Sequence, residues 1–187
     1  AFRLIRWPSD PMDIAAFVHG VAIWALPVII AITFHEAAHG YVAWKLGDDT
    51  AKRLGRVTFN PINHVDPFGT IVLPGILLFA SQFTSSPFVF GWAKPVPVDF
   101  ARLRNPRRDT MLVAAAGPGI NLVLAVVAMF FLRPAGALPI VGDWLHANLE
   151  NAVVINLILA VFNMIPLPPL DGGRVAVGLL PRSLAYP

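Results

Sequence analysis

The sequence describes an all-α protein that crosses a membrane several times, and three observations carry that expectation. Of its 187 residues, 56% are hydrophobic and only 13% charged, against roughly 45–50% and about 25% in an ordinary soluble domain. Mean hydropathy is +0.66, too high for a water-soluble globule of this size. The apolar residues form long runs of about the length that spans a bilayer, and the basic residues sit between those runs. The same numbers exclude a disordered chain, a coiled coil and a disulfide scaffold.

The elements follow in order. Ile14 to Trp44 is apolar except for His19, Thr33, His35, Glu36 and His39. As one helix it rises about 46 Å against a hydrocarbon core of roughly 30 Å, so it tilts, protrudes or bends, and Pro27 is the place for a kink. Lys45 anchors it at the interface and Gly47 reads as its stop, giving a span over 14–46. A polar stretch, Asp48 to Asp66, carries turn signals at Asn60-Pro61 and Asp66-Pro67. The weaker apolar segment 68–83 is broken by Pro74 and Gly75. Residues 84–109, with Pro87, Pro95, Pro97 and Pro106, read as an irregular loop whose arginines (Arg102, Arg104, Arg107, Arg108) anchor to headgroups. Spans follow over 110–132 and 147–165. Pro166, Pro168 and Pro169 then break the helix, and 166–181 holds Asp171-Gly172-Gly173 and a short apolar helix. About three full spans result, within a single domain over 1–187.

The chain contains no cysteine, so any metal must sit on His, Asp or Glu. Its net charge of +3 and isoelectric point near 9.8 fit anionic headgroups and the positive-inside rule, not nucleic acid. The first apolar run is far longer than a signal core, so no cleavable signal peptide is expected. Opening on Ala1 and not Met, the chain reads as lacking its true start.

His35-Glu36-Ala37-Ala38-His39 matches H-E-x-x-H. Positions i and i+4 share one helix face about 6 Å apart, so both imidazoles can hold one ion. Glu36 is offset beside them, where it reaches a water at the metal and not the metal itself. Ionisable groups inside a span cost several kcal/mol, which function must justify; the bland alternative is a polar cluster lining some other pore. A catalytic zinc site needs a third protein ligand. His19 lies about 160° round the helix from His35 and faces away. His64, Asp66, His146, Glu150 and Asp171 remain, and Asp171 before Gly-Gly could equally be a turn or N-cap residue.

Three stretches occur here in order: Phe34-His35-Glu36-Ala37-Ala38-His39-Gly40, Ala116-Gly117-Pro118-Gly119-Ile120-Asn121, and Phe162 to Arg174 with its Asn163 and Pro168-Pro169-Leu170-Asp171-Gly172-Gly173. Together they resemble the signatures of the site-2 protease family of intramembrane zinc metalloproteases. Gly91-Trp92-Ala93-Lys94-Pro95-Val96-Pro97-Val98 resembles a motif of its small bacterial branch without a PDZ domain. The resemblance covers Phe34 to Arg174. It implies that His35, His39 and Asp171 ligate zinc, that Glu36 is the general base, and that Asn163 lies near the metal as a donor to the oxyanion. Members often continue into another helix after Asp-Gly-Gly, which would leave the substrate gate incomplete here. Ala114 to Gly119 reads chiefly as a small-residue packing run. Asn121 reads as a hydrogen-bond partner of the zinc-bearing helix or its loop, and Asn156 with Asn163 as a face that meets substrate backbone.

The resulting expectation is a zinc metalloendopeptidase that cuts transmembrane segments of other proteins in a bacterial cytoplasmic membrane, its zinc nearer the cytoplasmic face. Transmembrane substrates, the lipid bilayer and association with other membrane proteins are the expected partners. The competing reading is a catalytically silent subunit of a larger membrane assembly; a zinc transporter would need ligands staged across the membrane. Parity constrains the path. For Asp171 to meet His35 and His39, segment 68–83 must enter the membrane and return to its side of origin, with Pro74-Gly75 as the place to turn. All 14 Lys and Arg except Arg3, Arg6 and Arg133 then share one side, which the positive-inside rule makes cytoplasmic.

Overall fold

A computed structural model of the chain describes residues 14–81, 91–136 and 138–181. The regular elements among them are all helical: α1 (Ile14–Lys45), the single turn α2 (Thr50–Arg53), α3 (Leu73–Ser81), α4 (Pro106–Ala135), α5 (Gly142–Asn163) and α6 (Asp171–Leu179). Three stretches, Val18–Lys45, Pro106–Ala135 and Gly142–Asn163, are long and apolar enough to cross a membrane. Helix α4 packs against α1, α5 and α6, and α1 also meets α5. The buried apolar positions are mostly alanines, among them Ala31, Ala37, Ala43, Ala114, Ala125, Ala128 and Ala160. Small residues let helix backbones approach closely where lipid removes the hydrophobic drive between helices. Large apolar side chains such as Val126, Phe130 and Val161 point outward.

Helix α1 runs unbroken through Pro27. That proline has no N–H for the Ile23 carbonyl four residues back, and the Asn151 amide of α5 donates to it at 2.9 Å. A local defect in one span thus becomes a tie to another. At its far end α1 stops at Gly47, whose φ of +119° is open to glycine and strained for other residues. The buried Asp48 then accepts from Thr50 N (3.0 Å), Thr50 Oγ1 (2.5 Å) and Asp99 N (2.8 Å). Arg104 N–H donates to Leu46 O at 3.1 Å, and Arg102 lies 3.3 Å from Asp49. The loop before α4 is therefore laced to the end of α1. A small core of Ala43, Leu103 and Val113, flanked by Val42, Leu46, Val98 and Phe100, fills the space beneath it.

The expected span over 14–46 matches α1 to within one residue, whereas those over 110–132 and 147–165 are shorter than their helices. Helix α4 exceeds 110–132 at both ends and α5 begins before 147, because hydropathy marks apolar residues while the helical backbone continues through polar turns such as Asp143–His146. Pro106 suits the first turn of α4, where no N–H partner is needed; Asp109 reaches back to accept from Asn105 N at 2.8 Å.

Pro74-Gly75 is not a turn. Asp66 caps a π-helical turn over Pro67–Val72 that runs directly into α3, and the helix continues past both residues to Ser81. Pro74 is tolerated because the carbonyl it fails to serve, Gly69 O five residues back in π-helical register, accepts from Trp92 N at 3.0 Å instead. Lys94 N likewise donates to His64 O at 2.9 Å. The chain leaving at His64–Gly69 and the chain arriving at Trp92–Lys94 are thus side by side. Gln82 and Phe83, the end of the expected segment, lie outside the described residues, as do Arg3, Arg6 and Arg182.

Candidate metal centre

His35 and His39 stand one turn apart on α1, 7% and 9% exposed, and Asp171 opens α6 at 7%. The prolines after Asn163 end α5 and turn the chain back. Gly172 permits the close return: a Cβ there would lie 2.3 Å from the Met164 carbonyl group. Asp171 Oδ2 then lies 3.3 Å from His35 Nε2 and 3.2 Å from His39 Nε2, and the two Nε2 atoms are 3.0 Å apart. Among the described residues this is the cluster with metal-ligand geometry, its donor atoms within 4.8 Å of one another.

The surrounding hydrogen bonds decide which ring nitrogens carry protons. Asn156 Nδ2 donates to Ala152 O (2.8 Å), so its Oδ1 is the acceptor facing Asn121 Nδ2 (2.7 Å). Asn121 Nδ2 also donates to Ala31 O (3.2 Å), leaving Asn121 Oδ1 to accept from His35 Nδ1 at 2.6 Å. His39 Nδ1 donates to the Val113 carbonyl at 2.7 Å. Both Nδ1 atoms therefore hold protons, and in the neutral rings both Nε2 atoms present lone pairs. Two nitrogen lone pairs and a carboxylate oxygen pointed at one spot repel one another unless a cation sits between them. Arg174 Nη1 lies 3.7 Å from the other carboxylate oxygen of Asp171.

Gly117 of α4 makes room for the two imidazoles. A Cβ built there would fall 2.4 Å from His39 Nε2 and 2.6 Å from both Cε1 and Nε2 of His35, so any side chain at this position would displace the rings. Two imidazoles and a carboxylate are a donor set zinc accepts, and three protein ligands leave a position open for chemistry. The residues fit the metal.

Glu36 is not one of the clustered donors; its Oε2 accepts from the backbone N–H of Val96 at 2.8 Å. The other titratable candidates are engaged elsewhere. His64 Nε2 pairs with Thr58 O and Asp66 caps the π-helical turn. His146 faces Glu150 at 3.4 Å, and His19 is exposed. Asn163 Nδ2 donates to Leu159 O of its own helix at 2.9 Å. Asn156, expected on a face open to substrate backbone, is 2% exposed and bonded to Asn121, because its turn of α5 faces α4. Asn121 does bond the histidine-bearing helix. Gly117, read from the sequence as packing, is the spacer of the site, and nothing in the residue pattern separates it from its small neighbours.

The model of Peptidase family M50 matches residues 23–136 and 139–185. The protein named "Putative zinc metalloprotease YwhC" of Bacillus subtilis is 43% identical over 164 residues, covering 85% of this chain and 69% of that protein. Rip2 of Mycobacterium tuberculosis, which carries the same description, is 31% identical over 160 residues, 83% of this chain and 55% of its own length. "Zinc metalloprotease MJ0392" of Methanocaldococcus jannaschii is 22% identical over 169 residues, 88% of this chain and 36% of its own length. The chain thus spans about two thirds of the first relative and about half of the second. No solved structure gives a significant match. With a histidine–histidine–aspartate cluster suited to zinc, three helices able to span a bilayer and a family match across most of its length, the chain belongs to peptidase family M50, the membrane-embedded site-2 protease family.

Proposed function

We propose that this chain hydrolyses peptide bonds within or near the transmembrane segments of other membrane proteins, with His35, His39 and Asp171 as zinc ligands and Glu36 as general base. The observation that carries the reading is the convergence of the two Nε2 atoms and Asp171 Oδ2 within 4.8 Å of one another, with both histidines on a helix able to span the membrane. A zinc ion held by these three residues would supply Lewis acidity toward the scissile carbonyl and toward a water molecule. Glu36, one residue along the same helix, would take the proton of the attacking water and return it to the leaving amine. Asn163 is the candidate oxyanion donor, since an amide has two N–H groups and Leu159 takes one.

His35 lies about 15 Å along the helix from Lys45, a depth at which the peptide bonds of a transmembrane segment would meet the site. A helical substrate must unwind locally to expose its carbonyls. The pairing of Trp92 with Gly69 and of Lys94 with His64 supports a segment that enters the membrane after Asp66 and returns to the same side. With that path Lys45, Lys52, Arg53, Arg102, Arg104, Arg107 and Arg108 face one compartment, the cytoplasm by the positive-inside rule. Transmembrane proteins of the bacterial cytoplasmic membrane are then the substrates.

The test uses the purified chain and a fluorogenic peptide of about 20 apolar residues interrupted by Gly-Asn. Glu36→Gln should retain zinc and lose cleavage by at least about a hundredfold. Cleavage near the unmodified rate would overturn the enzymatic assignment of Glu36.

A further inference from the structure

Arg56 carries a buried charge that the site as described does not use. It is 7% exposed, and no carboxylate pairs with it among the described residues. Its Nη2 donates to the carbonyls of Lys94 (2.6 Å) and Pro95 (3.4 Å), and its Nε is buried without a partner. Taking a guanidinium out of water costs several kcal/mol that carbonyls repay only in part. A packing role would be filled more cheaply by an apolar side chain.

The acceptors show where the charge acts. The Pro95–Val96 peptide unit presents its oxygen to Arg56 and its N–H to Glu36, which accepts at 2.8 Å. Guanidinium, peptide and carboxylate thus form one line, in which each hydrogen bond polarises and strengthens the next. The segment is pinned on both sides of that peptide unit. Lys94 N donates to His64 O at 2.9 Å, and Pro95 and Pro97 restrict the backbone. Val96 also rests on α1 at Gly40, where a Cβ would meet its Cγ1 at 3.0 Å. Gly40 is one turn beyond Glu36, so the segment grips the helix face that carries the base.

We propose that Arg56 is a positioning residue for Glu36: by clamping the carbonyls of Lys94 and Pro95 it fixes the Val96 N–H that holds the Glu36 carboxylate in its working orientation. The inference rests on the reading of Glu36 as general base.

Arg56→Met, Arg56→Lys and Glu36→Gln are compared with the unmodified chain for zinc content, melting midpoint, kcat and KM on the same fluorogenic peptide, and amide exchange across residues 92–98. Arg56→Met should keep zinc and KM, lose about tenfold to a hundredfold in kcat, and exchange faster at the amides of Lys94 and Val96. Arg56→Lys, which keeps the charge but not the planar fork, should recover part of both. A kcat within about twofold of the unmodified chain in Arg56→Met, or zinc and melting midpoint falling in step with kcat, overturns the proposal. Should Arg56→Met fail to fold, Arg56→Lys decides: reduced kcat with full zinc supports the clamp, and unmodified kcat overturns it. An active Glu36→Gln overturns instead the base assignment on which the proposal rests, whereas an inactive Glu36→Gln beside fully active Arg56 variants overturns the clamp alone.

Discussion

The Asn121 side-chain oxygen accepts the His35 Nδ1 proton at 2.6 Å, and the residues behind it allow only that orientation. Its amide nitrogen is occupied by Ala31 O and Asn156 Oδ1, and Asn156 is oriented in turn by Ala152 O. The tautomer of a histidine on α1 is therefore dictated by a backbone carbonyl of α5 through two asparagines on two helices. Outer partners of this kind orient a metal-binding ring and raise its basicity.

Asn121→Leu removes the acceptor and leaves both His35 Nδ1 and Asn156 Oδ1 buried without partners. Zinc affinity should fall about tenfold to a hundredfold, measured by competition with a chelator of known affinity. Asn121→Asp keeps an acceptor toward His35 and should retain more of it.

Gly117→Ala should remove zinc almost completely, since the added methyl carbon lies 2.4–2.6 Å from both Nε2 atoms. Metal analysis of the purified variant checks this. Gly119→Ala is the control, because a Cβ there meets nothing within 4 Å; it should bind zinc normally.

Asp171→Ala should lower zinc occupancy sharply while His64→Ala and Asp66→Ala leave it unchanged. Full occupancy in Asp171→Ala, with a loss in either of the others, would move the third ligand into the loop after α1.

Cysteines placed singly at Lys52 and Arg104 in this cysteine-free chain should be labelled by an impermeant reagent from the same side of the membrane. The expectation follows from Arg104 N on Leu46 O and Arg102 beside Asp49. Labelling from opposite faces would contradict both the returning segment and the meeting of Asp171 with α1.

Asp48 supplies a pH-dependent contribution to stability. Burial alone would raise its carboxyl, but hydrogen bonds from Thr50 and Asp99 and the charge of Arg102 hold it below the usual carboxylate range. Its folded value lies below its unfolded one, so the stabilisation is fully present above the ordinary carboxylate range and disappears as pH falls through the folded value. Asp48→Asn should destabilise the protein by about 1–2 kcal/mol at pH 7. The difference in melting midpoint between the two proteins should shrink progressively below about pH 4.

The residue order alone determined what depends on local periodicity and local solvation. His35 and His39 share a helix face because the α-helix repeats every 3.6 residues. The spans follow from runs of apolar side chains, and Gly47 ends α1 because few other residues tolerate its φ. Packing decided everything that joins distant positions. The residues left open several third-ligand candidates, and resemblance alone favoured Asp171; its approach to α1 depends on a close return at Gly172 that no periodicity encodes. Asn121 and His35 are 86 residues apart in the chain, and Asn156 faces Asn121 only because of how α4 and α5 are rotated against each other. Pro74 looked like a turn because a proline's missing N–H usually breaks a helix. It stays helical because Trp92, remote in sequence, serves the carbonyl that Pro74 leaves. Gly117 shows the same division most plainly: in sequence it is one small residue among several, and the two histidine rings of α1 packed against it make its missing Cβ indispensable.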